Sequence, residues 1–396
     1  MTDTQPVARR RPHLPALDGL RGVAVVAVLL FHTGRLPGGF LGVDLFFALS
    51  GYLITGLLLR EVEARGGISL PAFWGRRLRR LQPALAVVLV VVTAVVWSAG
   101  APDLVRTTLS DGPWVQLNVV NWHLLADSAG YWDRFGASRV FEHLWSIAVE
   151  EQFYLVWPVL VLVVARGVEA ERRVMVTALA GSVLSVALMV ALFDPADPSR
   201  VYTGTDTRAF SLLLGAVVVT EPVRAMLART SRAVAGRLSV AVVAALGVLW
   251  SLADGANSPW LFTGGLFAHS LLAAVLIGLC VHNGRSAVAR VLSWRPVRWL
   301  GGVSYSLYLW HWPVCVLLSP AMTGLRGWWW TALVFAVSTG LAALSKYLVE
   351  DPIRFRVRWV TGRRGGWAFG ALMAGLAVLW LGLPAPAPVT VDLTGL

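Results

Sequence analysis

Apolar runs of roughly 20 residues recur along almost the whole chain, and they constrain it more than any motif does. A hydrocarbon core about 30 Å thick is crossed by about 20 residues of helix. Eleven stretches qualify as candidate spans: 18–36, 41–60, 82–99, 144–165, 173–193, 208–220, 238–253, 262–281, 303–320, 328–347 and 366–383. The sixth and seventh are short, and are read as tilted, broken or partly interfacial. AVVLVVVTAVVW (86–97) is apolar on every side, without the alternation of a barrel strand. The expected fold class is all-α: a polytopic integral membrane helical bundle of about 10–11 transmembrane helices.

Composition agrees. Of 396 residues, 57% are hydrophobic and 14% are Asp, Glu, Lys or Arg, against about 25% charged in soluble domains. With a mean hydropathy of +0.67, this excludes a soluble globular enzyme, a disordered chain and a collagen-like fibre. Two Cys exclude a disulfide framework or a Cys-rich zinc module. The net charge of +12 does not point to nucleic acid, because the basic residues are divided among six segments between apolar runs. With the N-terminus cytoplasmic, 27 of the 34 Lys and Arg fall on the inner side, which is the orientation the positive-inside rule favours. The expected organisation is a cytoplasmic tail (1–13), a transmembrane domain (14–383) and a short extracytoplasmic tail (384–396). The start does not read as a cleaved signal peptide, since Arg21 and His32 interrupt its apolar run. The outer loop 100–143 carries Trp114, Trp122, Tyr131 and Trp132 and is expected to pack as a lid over the mouth.

A charged group at mid-bilayer costs about 2.5–3.5 kcal/mol on insertion scales, so the polar residues inside the spans are informative. They are Arg21, His32, Asp44, Glu150, Glu151, His269 and His311. Arg21 and His32, eleven residues apart, share a helix face and are separated by a rise of about 16 Å. That suits a long ligand with its charged end at the inner lip and its reactive end deep in the membrane; the alternative is a snorkelling Arg and a packed His. His32 and Asp44 lie equally far on either side of the turn LPGG (36–39), so they are expected at similar depth, with Asp44 orienting His32 as a base. The alternative for Asp44 is a helix-cap carboxylate. His143 and Glu150 share a face of the fourth span. Glu150 is read as a catalytic or acceptor-binding carboxylate, or as half of a structural ion pair. In FWGRRLRRLQP (73–83), two or three of Arg76, Arg77 and Arg80 can converge. Guanidinium groups suit phosphates, although a stop-transfer cluster or anionic lipid binding explains such a run equally.

Other features read as packing or chance. His123 and Asp127 form an isolated H-x-x-x-D, and Cys280 and Cys315 lie in apolar helices. There is no Walker A, no G-x-G-x-x-G after a strand, no H-E-x-x-H and no EF-hand loop. No metal is expected.

Six segments in order resemble acyltransferase family 3, the membrane enzymes that O-acetylate envelope polysaccharides and some natural products. They are the R-x10-H pair Arg21 to His32, GVDLFFALSGYLIT (42–55), FWGRRLRRLQP (73–83), HLWSIAVEEQFYLVWP (143–158), TDTRAFSLLLGA (205–216) and SYSLYLWHWP (304–313). The resemblance runs from LPALDGLRGVAVVAVLLFH (14–32) to YLVEDPIR (347–354). It implies a cytoplasmic acyl-CoA donor, usually acetyl-CoA, and a sugar hydroxyl acceptor at the outer face of the bacterial cytoplasmic membrane. Arg76, Arg77 and Arg80 match the family's inner arginines that would hold CoA phosphates. Arg21 and His32 match its R-x10-H pair, Asp44 the acid of the second-span motif, and Glu150 and His143 the fourth-span motif. Tyr305, Tyr308 and His311 match the ninth-span motif, with a structural or channel-lining role. Larger members continue into an extracytoplasmic SGNH hydrolase-like domain; span eleven resembles the helix before it, and where that domain does not follow, the enzyme delivers acyl groups directly, a separate transferase partner does so, or the sequence is a truncated one.

The expected chemistry places His32 as general base on the acceptor hydroxyl or as acyl carrier. The rival reading is a secondary transporter of a polar or anionic solute, which intramembrane His and carboxylates also fit. A transporter predicts related halves, and no repeat is visible.

Overall fold

The computed structural model describes residues 14–127, 130–132, 139–356 and 362–386. They form helices joined by short turns, with no strand among the described residues. The first six α-helices are α1 (Pro15–His32), α2 (Gly42–Arg65), α3 (Leu70–Ala99), α4 (Pro102–Gln116), α5 (Val120–Ala126) and α6 (Trp145–Val164). Next come α7 (Ala170–Ala191), α8 (Ser199–Thr203), α9 (Thr205–Val218), α10 (Glu221–Ala228), α11 (Arg232–Leu252) and α12 (Gly265–His282). The last are α13 (Ala287–Leu292), α14 (Arg295–Leu317), α15 (Pro320–Thr323), α16 (Gly327–Ser345) and α17 (Gly362–Gly382).

Nine helical stretches among the described residues are long and apolar enough to cross a membrane, and α9 with α10 makes a tenth, bent by 61°. Each of the eleven apolar runs coincides with a helix. The protein is thus a polytopic helical membrane protein. The tails before residue 14 and after residue 386 lie outside the described residues. The chain 100–143 includes, among its described residues, α4, α5 and the start of a single turn at Glu142–Leu144. Of its aromatic residues, Tyr131 is buried and Trp132 packs against Phe40 and Tyr202, whereas Trp114 and Trp122 stay exposed.

The bundle is built around α1, which packs along α14 and beside α2, while α9 lies between α2 and α7. Without a hydrophobic force between helices in lipid, close approach of small residues drives such packing. At the α2–α9 crossing the approach is reciprocal: a Cβ on Gly51 would lie 1.7 Å from the Leu212 carbonyl oxygen, and one on Gly215 1.9 Å from that of Ala48. Neither helix can turn a side chain toward the other there. After α16 the chain underwinds into π-helical turns, Lys346–Glu350 and Pro352–Arg356.

Gly51→Val is expected to destabilise the protein toward the upper part of about 1–3 kcal/mol, since backbone rather than a flexible side chain obstructs it. Gly340→Ala on α16, where nothing lies within 4 Å, serves as the control and should leave the thermal unfolding midpoint in detergent unchanged or slightly raised. Equal behaviour of the two variants would contradict the close crossing.

Candidate active site

Two compartments lie inside the bundle. The larger, about 250 Å³, is lined by Arg21 of α1, Ser50 of α2, Arg77 and Arg80 of α3, Glu150 and Tyr154 of α6, and Tyr305 and Tyr308 of α14. The smaller, about 10 Å³, is lined by His32, Tyr131, Glu142, His143 and Trp312.

The arginine end collects charge without matching it. Among the described residues Arg21, Arg77 and Arg80 form no ion pair. The buried Arg77 Nε has no hydrogen-bond partner. Glu150 is held by the Ser50 hydroxyl (2.8 Å to Oε1) and the Tyr154 hydroxyl (3.3 Å to Oε2). Tyr305 donates to the Leu81 carbonyl at 2.9 Å and so ties α14 to the arginine helix. Three half-buried guanidinium groups around a cavity with one carboxylate leave room for an anion or water to complete them.

The four-arginine run divides by helix geometry. Arg77 and Arg80 are three apart and share the face that lines this cavity. Arg76 does not join them. It bonds Glu61 at 3.1 Å and, with Arg79, faces a separate cleft on the other side of α3.

At the other compartment the hydrogen bonds assign the imidazole tautomers. His311 Nδ1 lies 2.6 Å from the Tyr308 carbonyl oxygen, which can only accept, so Nδ1 carries the proton and Nε2 a lone pair. That lone pair faces His32 Nδ1 at 3.2 Å. His32 Nδ1 also lies 3.0 Å from the Val28 carbonyl oxygen. Both contacts require His32 to carry its proton on Nδ1, leaving Nε2 as its basic nitrogen. His143 is the third ring of the cluster, 5.2 Å from His311 between centroids. Its Nε2 faces the Leu309 carbonyl at 3.3 Å and its Nδ1 has no partner.

Tyr308 is the wall between the compartments. It lines the arginine cavity, donates to the His143 carbonyl at 3.0 Å, bonds Ser146 at 2.6 Å, and packs on both His143 and His311. The segment that delivers Glu142 and His143 is held by Arg139, whose guanidinium bonds Asp111 at 2.6 Å and Asp127 at 2.5 Å, and whose carbonyl accepts from Trp312 at 2.9 Å. Burial pushes the Asp111 carboxyl above its ordinary range, and Arg139 and His123 oppose that shift.

Two expectations need correcting. Asp44 does not orient His32. It is wholly buried, and its Oδ1 accepts from Arg208 (2.6 Å), Ser211 (2.9 Å) and Ser270 (3.1 Å), joining α2 to α9 and α12. Equal distance from a turn fixes depth but not direction around the helix axis. Nor does Glu150 share a compartment with His32; it belongs with the arginines. Sequence reading missed Glu142, a buried carboxylate lining the His32 pocket. Its signal was available as an acid immediately before His143. It also missed Arg208 as the partner of Asp44, although both interrupt apolar runs. His269 is a packing residue: its Nε2 accepts from Trp250 at 2.9 Å.

Fold and site together define a polytopic membrane protein with a histidine cluster at one compartment and, at the other, guanidinium groups that form no ion pair among the described residues. A family model described as an acyltransferase domain matches residues 14–347, and the chain belongs to that family. It is 37% identical over 356 residues to the peptidoglycan O-acetyltransferase OatA of Listeria monocytogenes, covering 87% of this chain and 56% of the relative. Similarity is comparable to the putative peptidoglycan O-acetyltransferase YrhL of Bacillus subtilis, at 38% over 86% of this chain and 55% of the relative. The O-acetyltransferase OatA of Staphylococcus aureus (strain NCTC 8325 / PS 47) is 35% identical over 86% of this chain and 57% of its own. The chain thus spans little more than half the length of these relatives. No solved structure matches it.

Removing one half of the buried pair separates structure from chemistry here. Arg208→Met leaves the Asp44 carboxylate uncompensated and should cost about 3–5 kcal/mol, read as a lowered unfolding midpoint in detergent. The double variant Asp44→Leu/Arg208→Met should recover most of that loss. A single variant as stable as the wild type would contradict the pairing.

Proposed function

We propose that this protein is an integral membrane O-acyltransferase. It takes an acyl group, acetyl in the first instance, from cytoplasmic acyl-CoA and delivers it to a hydroxyl of an extracytoplasmic cell-envelope glycan, peptidoglycan being the acceptor class named for its relatives. The observation that carries this reading is the pair of compartments: unpaired arginines at one end and a tautomerically fixed imidazole at the other, about 16 Å along α1 from Arg21 to His32.

The arginine end faces the cytoplasm in this proposal. Arg77 and Arg80 hold the CoA phosphates, and Arg21 steers the pantetheine arm into the bundle. Glu150 offsets part of the positive charge while no donor is bound. The thioester then reaches the wall formed by Tyr308. The acceptor oxygen attacks the thioester carbon, its proton passes to His32 Nε2, the C–S bond breaks, and the imidazolium returns the proton to the leaving thiolate. Glu142 takes the part expected of Asp44, stabilising the imidazolium. His311 keeps the lone pair of His32 on Nε2. Acyl transfer through His32 itself is the variant with two displacement steps. A separate extracytoplasmic transferase completes delivery if the acceptor does not reach His32 directly.

His32→Ala in membranes supplied with radiolabelled acetyl-CoA and acceptor should lose about 10²–10⁴-fold in transfer; undiminished transfer refutes the assignment. His311→Gln should lose about 10–100-fold with donor affinity unchanged. Arg77→Gln and Arg80→Gln should instead raise the donor KM, each by about tenfold or more, as expected for the loss of a hydrogen bond to a charged group. Unaltered donor affinity in the double variant contradicts the phosphate role.

A further inference from the structure

The second face of the arginine run opens onto a cleft of about 1180 Å³, larger than the cavity at the site, between α3, the π-helical segment and α17. Among the described residues, the side-chain hydrogen bonds of helix α17 lie in its C-terminal half. There Trp380 Nε1 donates to Gln116 Oε1 at 2.7 Å, Gln116 Nε2 donates to the Met373 carbonyl at 2.8 Å, and Trp97 Nε1 reaches the Pro384 carbonyl at 3.3 Å. Its N-terminal half, beginning GRRGGWAFG, lines the cleft through Gly362, Gly365, Gly366, Ala368 and Phe369.

Along α3 the lining begins at Ser69, Pro71 and Trp74, carries Arg76 and Arg79, and is apolar from Pro83 through Val87 to Val91. Arg79 has no acidic partner among the described residues; its Nε donates only to the Gly75 carbonyl at 3.3 Å. Arg76 is paired with Glu61, yet its side chain remains 39% exposed. From Arg79 to Val91 the helix rises about 18 Å, close to the depth of one leaflet of a core about 30 Å thick. Val90 and Val91 are exposed, so the apolar part is open to the side. A cleft with a pair of cationic groups, a leaflet-deep apolar floor running away from them and a lateral opening matches a molecule with an anionic head and long acyl chains.

We propose that this cleft is a binding site for one anionic diacyl phospholipid, its phosphate on Arg76 and Arg79 and its chains between α3 and α17. The lipid fills the space between the two helices and adds to the contacts that hold α17 to the bundle. The run Arg76, Arg77, Arg79, Arg80 then serves two ligands from two faces of one helix.

The test is native mass spectrometry of the full chain released from detergent containing either dioleoylphosphatidylglycerol or dioleoylphosphatidylcholine at equal concentration. One retained phosphatidylglycerol is expected, with a preference over phosphatidylcholine of about tenfold or more, in line with the attraction of basic residues for anionic headgroups. Arg76→Gln/Arg79→Gln should abolish the preference. Val87→Trp, which fills the floor and leaves both arginines, should lower retention of both lipids. An unfolding scan of each variant establishes that it is folded. Equal retention of the two lipids, undiminished preference in the double variant, or a lipid-free dimer whose seam covers the cleft would each overturn the proposal.

Discussion

The Asp44–Arg208 pair is the interaction on which the arrangement depends, because it resolves the most expensive problem this chain faces. Two full charges are withdrawn from all solvent, and their attraction is realised only if α2 and α9 remain in register. Ser211 and Ser270 complete the same carboxylate oxygen, which draws α12 into the junction. The glycine crossing of α2 and α9 brings the backbones close enough for this short bond. Packing and electrostatics therefore specify the same geometry, and a slip in either breaks the other. Neutralised charge is architecture in this molecule, whereas charge left without a partner marks where a ligand belongs.

That distinction orders the arginines. Arg208 is paired and structural, and Arg139 is paired and holds the Glu142–His143 segment in place. Arg21, Arg77 and Arg80 surround a cavity with one carboxylate among them, and that carboxylate is bonded to hydroxyl groups. The same contrast holds among the histidines. His311 uses both nitrogens, whereas His143 keeps Nδ1 without a partner in a pocket it shares with His32.

Much of the fold was legible because a bilayer reduces the choice to helices of one length, so eleven apolar runs were enough to locate eleven helices. Depth was legible for the same reason: rise per residue is fixed, and it set Arg21 and His32 a known distance apart on one face. Direction around the axis was not, because it depends on which helix packs alongside. Asp44 illustrates this. Its height was inferred from the turn, but its partner lies 164 positions further on, in a helix whose position no local pattern reveals. Arg76 fails for a smaller reason: one step along a helix is 100°, enough to move a side chain from one cavity to another. Glu142 was overlooked because it precedes the helix, in a turn that packs against α5.

The wall made by Tyr308 gives the two compartments their logic. The proposed reaction, with its donor on one side of a membrane and its acceptor on the other, would need a passage for a thioester without a passage for ions. An open channel from the arginines to His32 would meet the first requirement and fail the second. Tyr308 closes the route with an aromatic ring and secures it by hydrogen bonds to Ser146 and to the His143 backbone. The same residue packs on His311, and its carbonyl fixes the tautomer of that ring. A donor that displaced Tyr308 would therefore act on the carbonyl that sets the His311 proton, and through His311 on the basic nitrogen of His32. In the proposed reaction, entry of the donor and readiness of the base would be coupled through a single residue of α14.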